Sequence, residues 1–177
     1  MRRSMRIPVW TACIAMATLA AHAAGDLARV TLSEADAKRQ PNVTIKVQTD
    51  SIRLTADQKS AMESNPMIDS SAGPMALAEF GGLASKSPSA LSAKASVLIP
   101  YKSVDGLRES DLDAFAWNEA DKAWRLAGCA LKATGDQHFE VATDTEVYPA
   151  LDALLARPIE LRPIAVFKKK AIKGPSR

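Results

Sequence analysis

The side chains that could do chemistry in this chain are few and scattered. The chain has two histidines and two cysteines, and one of each lies in the first 23 residues, which leaves His138 and Cys129. A Ser-His-Asp triad would have to use His138, and no G-x-S-x-G elbow presents a serine nucleophile to it. We therefore expect no catalytic residue, with Cys129 as a small buried apolar residue and His138 as a solvated loop residue.

Metal and cofactor sites are not indicated either. One histidine and one cysteine cannot supply the several ligands that a zinc site needs. Glu109, Asp111 and Asp113 alternate, but this segment lacks the glycine and the closing glutamate of an EF-hand loop. No Walker loop or dinucleotide fingerprint occurs. We expect no metal and no cofactor, while a small cofactor-free hydrolase that works with two carboxylates stays open as an alternative.

The N-terminal 23 residues predict where the protein works. Three arginines precede an apolar run over residues 7–21, and Ala-His-Ala follows at 21–23. A basic start, a short apolar middle and an A-x-A end are typical of a secretory signal peptide. We expect cleavage before Ala24 and a periplasmic or extracellular protein. One alternative is an uncleaved membrane anchor, although the apolar run is shorter than the roughly 20 residues that span a bilayer. The other alternative is a lipoprotein modified at Cys13.

Charge is segregated along the rest of the chain. Residues 24–160 carry 14 basic and 20 acidic residues, whereas residues 161–177 carry six basic residues and no acidic one. Four of these are lysines, at Lys168, Lys169, Lys170 and Lys173. We expect a folded domain over 24–167 and a basic, disordered tail over 168–177, whose lysines could contact an anionic surface.

Short apolar segments between turns predict an all-β fold. Residues 43–49 alternate strictly, with Val43, Ile45 and Val47 on one side, as in a half-buried strand. Further strands are expected over 75–80, 95–99, 111–117, 123–126, 139–141 and 159–167, and short helices over 55–62 and from 149. Pro163 predicts that the last strand lies at an edge or is broken. Close spacing of short strands indicates a single β-sandwich with one or two short helices.

Two tryptophans flank the five-residue polar connection at 118–122, which predicts a hairpin. We interpret Trp117 and Trp124 as core residues, because large rings bury much apolar area. The alternative is that they form a platform for a ligand such as a polysaccharide.

Residues 95–151 carry a weak family resemblance. The order Ser96-Val-Leu-Ile-Pro-Tyr101, Ala116-Trp117, Ala123-Trp124, Phe139 and Tyr148 resembles ZU5-like β-sandwich modules of bacterial secreted and cell-surface proteins. Such modules are typically non-catalytic, so the resemblance implies a structural or interaction role.

The sequence as a whole favours an exported, non-catalytic binding or structural accessory protein of the cell envelope. Its partner could be an envelope protein, a polysaccharide or an anionic membrane surface. Nucleic acid is not expected, because no aromatic residues interleave the lysines of the tail. Besides the carboxylate hydrolase, the alternative is a peripheral protein held to the envelope surface by its basic tail.

Overall fold

A computed structural model gives the architecture of the protein and describes residues 28–84, 95–102, 104–127, 130–133, 137–142 and 160–171. The strands in these ranges are β1 (Arg29–Thr31), β2 (Thr44–Gln48), β3 (Pro74–Gly81), β4 (Ser96–Pro100), β5 (Leu112–Asn118), β6 (Ala123–Leu126), β7 (Ala130–Ala133), β8 (His138–Ala142) and β9 (Ile164–Lys168). The helices are α1 (Glu34–Arg39) and α2 (Ala56–Ser64), with 3₁₀ turns at Ser70–Ala72 and Glu109–Asp111. The fold is therefore all-β with short helices, as the sequence predicts.

The strands form two antiparallel sheets that share a core. One sheet has the order β1-β4-β8-β7 and the other has the order β2-β3-β9-β5-β6. Val97 and Val141 of the four-stranded sheet belong to the same buried cluster as Leu112, Ile164 and Val166 of the five-stranded sheet. We call this cluster the inner core. Its composition from both sheets gives the domain a sandwich-like arrangement.

The five-stranded sheet is also covered on its other face. Phe115 and Phe167 form a second buried cluster with Trp124, with Met62 of α2 and with Ile68 of the following loop. We call this cluster the outer core. Successive strand residues point to opposite faces, so a strand between two cores must be apolar on both. This explains why every residue from 164 to 167 is buried in β9.

Local sequence signals place α2 over this outer face. Thr55 and Gln58 form a reciprocal capping box: the Gln58 N–H donates to Thr55 Oγ1 at 3.2 Å, and the Thr55 N–H donates to Gln58 Oε1 at 3.0 Å. The carbonyl oxygen of Gln58 accepts a hydrogen bond from the indole Nε1 of Trp124 at 2.8 Å. The predicted helix is confirmed, and the hydrogen bond from Trp124 joins its first turn to the β5–β6 hairpin. None of the helices in the described parts of the chain is long and apolar enough to cross a membrane.

Of the two predictions for the last strand, the edge position is wrong, whereas an interruption at Pro163 agrees with a strand that begins only at Ile164. β9 lies between β3 and β5, in the middle of its sheet, and not at an edge. Pro163 immediately precedes the strand, where its missing N–H costs no ladder hydrogen bond. Its carbonyl oxygen accepts a hydrogen bond from the Trp117 N–H at 2.8 Å. The proline therefore begins the strand without breaking the sheet.

The folded domain continues beyond residue 167, where the sequence predicts that it ends. Lys168 is the last residue of β9. The Lys169 N–H donates to the carbonyl oxygen of Asp111 at 2.7 Å, and the Lys170 N–H donates to that of Met67 at 2.9 Å. Ordered main-chain pairing thus includes the first three residues that the sequence assigns to the basic tail.

The other predicted strands compare well with the structure. Strands β2, β3, β4, β5, β6 and β8 occupy the predicted segments, and β5 and β6 form the predicted hairpin, with Trp117 opposite Trp124. Strands β1 and β7 are not predicted by the sequence pattern. The helix expected from residue 149, the signal peptide, Cys129 and Lys173 lie outside the described residues.

Candidate functional site

The residues that first suggest chemistry do not converge. No group of three or more His, Cys, Asp or Glu side chains that could hold a metal ion occurs among the described residues. His138 lies in β8 opposite Pro100 and is only 8% exposed. The prediction of a solvated loop histidine is therefore wrong: the imidazole belongs to the buried part of the four-stranded sheet.

Both tryptophans are core residues. Trp117 is 4% exposed and Trp124 is 3% exposed. Their ring centroids lie 5.2 Å apart, and Trp124 also meets Phe167 edge to face with a centroid distance of 5.2 Å. These distances are typical of favourable aromatic pairs. Trp124 is enclosed by this packing and by α2, whereas Trp117 also contributes to the lining of a cavity.

This cavity has a volume of about 420 Å³ and lies where the β5–β6 hairpin, the start of α2 and the segment before β9 meet. We call it the Trp117 pocket. Its apolar lining consists of Trp117, Leu83, Leu161 and Pro163. Its polar lining consists of Thr55, Asp57, Gln58, Glu119, Lys122 and Arg162. An apolar wall with a few convergent polar groups is the usual composition of a small-molecule site.

One ion-pair network fixes the hairpin side of the pocket. Lys122 forms an ion pair with Glu119 and lies 3.4 Å from the carboxylate of Asp57. Glu119 Oε2 accepts a hydrogen bond from Trp117 Nε1 at 2.6 Å. The hydrogen bonds from Lys122 and then from Trp117 lower the pKa of Glu119, and the hydrogen bond to Glu119 raises the pKa of Lys122. Both groups are therefore charged at neutral pH.

Arg162 also lines the pocket and is held by two partners. Its Nη1 donates to Asn118 Oδ1 at 3.0 Å, and its Nε contacts the carboxylate of Glu160 in an ion pair without hydrogen-bond alignment. Asn118 is itself fixed by a 2.8 Å hydrogen bond from its Nδ2 to Asp121. The Arg162 side chain is 21% exposed. The guanidinium is thus positioned and only partly hydrated.

This lining suits binding better than acid–base catalysis. Glycoside hydrolysis by two carboxylates needs one of them protonated, which requires a raised pKa. Glu119 has a lowered pKa. Burial does raise the pKa of another carboxylate, Asp113, but that residue does not line the pocket. Of the two lining carboxylates, Glu119 is therefore not suited to be that general acid.

The lysines predicted to contact an anionic surface are partly neutralised. Lys168 Nζ lies 3.1 Å from an oxygen of Asp69, and Lys169 Nζ lies 3.9 Å from an oxygen of Asp113. The Lys170 side chain is exposed. Two carboxylates that are distant in sequence, one in a loop and one in β5, therefore reduce the positive charge that this end of the molecule offers to a membrane.

No protein-family model matches the sequence, and comparison with curated proteins and with solved structures gives no significant match. The pocket is therefore the feature of the molecule from which a function can be inferred. Of its lining residues, the sequence proposed Trp117 alone as a functional residue, and the two charged networks gave no local signal. The lining residues come from four separate segments, at 55–58, 83, 117–122 and 161–163, which only the tertiary fold brings together.

Proposed function

We propose that this chain is an exported, non-catalytic binding protein of the cell envelope that holds a small ligand in the Trp117 pocket. The observation that carries the proposal is the lining itself, in which an apolar wall stands beside charged groups already fixed by partners. Such preorganisation lowers the entropy cost of ordering side chains when a ligand binds. It supplies recognition without a reactive group.

The cellular location in this proposal depends on the sequence. The basic, apolar and small-residue order of residues 1–23 supports export through a signal peptide. The resemblance of residues 95–151 to ZU5-like modules supports a non-catalytic role at the cell surface or in the periplasm. Mass measurement of the protein recovered from the envelope fraction tests the location. A new N-terminus at Ala24 would support export, and an intact Met1 would contradict it.

A pocket-filling substitution tests the binding function. Leu83→Trp adds bulk at the lining, and Val104→Trp adds the same ring at a position that is 49% exposed and outside the lining. Small molecules of the envelope, namely sugars, short peptides and fatty acids, are screened by thermal unfolding against the unsubstituted protein. A ligand of the pocket raises the melting temperature, since it binds only the folded state. Leu83→Trp should abolish that rise and Val104→Trp should preserve it.

The same screen separates binding from hydrolysis. Each compound that stabilises the protein is recovered after prolonged incubation and analysed by mass spectrometry. We expect it unchanged. Cleavage that Glu119→Gln abolishes would favour the carboxylate hydrolase instead, because that substitution removes one of the two carboxylates that line the pocket.

A further inference from the structure

The geometry points to the ligand class of the Trp117 pocket: a zwitterionic short peptide with an apolar side chain, its carboxylate at Arg162 and its ammonium group at Asp57. This inference rests on the proposed binding function and specifies it.

The charges of the lining are balanced. Two acidic residues, Asp57 and Glu119, stand beside two basic residues, Lys122 and Arg162. These charges already pair with one another or with Glu160, so a ligand with a charge of one sign would displace one member of a pair and leave it without a partner, which is costly. A zwitterion brings one charge for the acidic half of the lining and one for the basic half. The electrostatics of the pocket therefore favour a ligand that carries both an anionic and a cationic group.

Arg162 is suited to the carboxylate. Asn118 and Glu160 occupy its Nη1 and Nε atoms, and within the described residues its Nη2 makes no hydrogen bond. A guanidinium presents its donors in a planar fork that matches a carboxylate. With only 21% of the side chain exposed, water screens such a contact less than it would at the open surface. The remaining donor edge of Arg162 can thus bind a terminal carboxylate.

Asp57 is suited to the ammonium group. The Glu119 carboxylate is occupied by Lys122 and by the indole of Trp117. Asp57, in contrast, has a single ion-pair partner among the described residues, Lys122 at 3.4 Å. A carboxylate can accept several hydrogen bonds, so Asp57 keeps capacity for the N–H groups of an α-ammonium. The two charged ends of one ligand therefore have separate partners in one pocket.

The apolar lining accounts for the side chain of the ligand. Trp117 and Leu161 are buried, and Leu83 and Pro163 are partly exposed at the cavity. The volume of the Trp117 pocket, about 420 Å³, is within the usual range of small-molecule pockets. A leucine-like side chain would cover the apolar wall while both ends of the peptide remain at the charged rim.

Calorimetric titration of the full chain with L-leucyl-L-leucine tests the inference, with two blocked forms as comparison ligands. N-acetyl-L-leucyl-L-leucine lacks the ammonium group, and L-leucyl-L-leucinamide lacks the carboxylate. We expect the free dipeptide to bind at least tenfold more tightly than either blocked form. Equal affinities for all three forms would overturn the assignment of a zwitterion.

Two substitutions assign each end of the ligand. Asp57→Asn should weaken binding of the free dipeptide and leave the affinity of the acetylated form unchanged. Arg162→Lys keeps the positive charge but removes the fork, so it should weaken the free dipeptide and leave the amide unchanged. Arg108→Lys is the matched control, because Arg108 is ion-paired outside the pocket. Asp57 is 60% exposed, so its variant keeps the test valid if Arg162→Lys does not fold.

The outcomes separate this inference from the proposed function. If no dipeptide binds but another compound stabilises the protein and loses its effect in Leu83→Trp, the zwitterion assignment fails and the binding function stands. If neither the dipeptides nor any compound of the screen binds, both fail. Weakening of all three ligands alike by Asp57→Asn would also overturn the assignment of the ammonium site.

Discussion

Deleting residues 168–177 should destabilise the domain, whereas deleting residues 171–177 should leave its stability almost unchanged. The sequence alone predicts that both deletions are harmless, since it places all ten residues in a disordered tail. In the structure, β9 ends at Lys168, and within the described residues, which end at 171, the last main-chain hydrogen bond of this segment is that of Lys170. The two deletions therefore differ by the three residues that belong to the fold.

The expected difference follows from the contacts of these three residues. The longer deletion removes the hydrogen bond from the Asp69 N–H to the carbonyl oxygen of Lys168, 2.8 Å in length, and the two donated by Lys169 and Lys170, of 2.7 and 2.9 Å. Each contributes a net 0.5–1.5 kcal/mol, which gives about 2–4 kcal/mol for the three. The ion pairs of Lys168 and Lys169 are partly exposed and add at most about 1 kcal/mol each.

Urea unfolding followed by tryptophan fluorescence measures this difference. The longer deletion should lower the midpoint with little change in the slope, as for a pure loss of stability. A variant with Lys168, Lys169 and Lys170 all changed to Gln is the control, because it removes the charges and keeps the main chain. It should lose much less stability than the longer deletion. Equal unfolding free energies for both deletions would refute the assignment of residues 168–170 to the folded domain.

Four other predictions concern stability. Trp124→Ala should cost about 3–5 kcal/mol in urea unfolding, because it leaves a cavity in the outer core, and wild-type stability would contradict that placement. Thr55→Ala should cost about 1 kcal/mol by removing the helix cap, and Thr55→Ser should recover most of it. Burial raises the pKa of Asp113, so the ionised carboxylate destabilises the folded state. Asp113→Asn should therefore increase the free energy of unfolding at neutral pH. This gain should disappear at acidic pH, where Asp113 is protonated in both the folded and the unfolded state. A hydrogen bond from the neighbouring Arg108 lowers the pKa of Asp111, so Asp111→Asn should decrease the free energy of unfolding at neutral pH. This loss should shrink as pH falls below the usual aspartate range. A change of the same sign in the unfolding free energies of both aspartate variants at neutral pH would contradict these assignments.

The elements that the sequence predicts are those with a complete local signal. The strict alternation of residues 43–49 produces β2, with Val43 and Ile45 buried and Lys46 exposed. The capping box at Thr55 marks the start of α2. In each case the residues that decide the structure are only a few positions apart. β1 and β7 have three and four residues, which is too short for a period to show.

The number of layers could not be predicted in the same way. A strand covered on both faces is apolar throughout, so β9 has no alternation that would place it in a sheet. Pro163 then suggests an edge, although pairing with β3 on one side and β5 on the other makes the strand central. The lysine at 168 looks like the start of a solvated tail because its partner, Asp69, is about a hundred residues away in the chain.

The Trp117 pocket could not be predicted from neighbouring residues in the sequence, because its charged partners are also distant in the chain. Asp57 looks like an ordinary first-turn helix residue, and Arg162 looks like the beginning of a basic tail. Only the pairing of β9 with β5 brings Arg162 to Asn118, and only the packing of α2 brings Asp57 to Lys122. The spacing of these residues in the sequence carries no signal of their contact.

The indole resonances in a ¹⁵N–¹H spectrum test the central claim most directly. The indole N–H of Trp117 donates to Glu119 at the lining of the pocket, whereas the indole N–H of Trp124 donates to the buried carbonyl oxygen of Gln58. The chain has three tryptophans, and Trp117→Phe and Trp124→Phe assign these two signals. During titration with L-leucyl-L-leucine, the Trp117 signal should move in a saturable manner and the Trp124 signal should stay within the line width. A Trp117 signal that does not move, or that moves no more than the Trp124 signal, would contradict binding of this zwitterionic dipeptide in the Trp117 pocket.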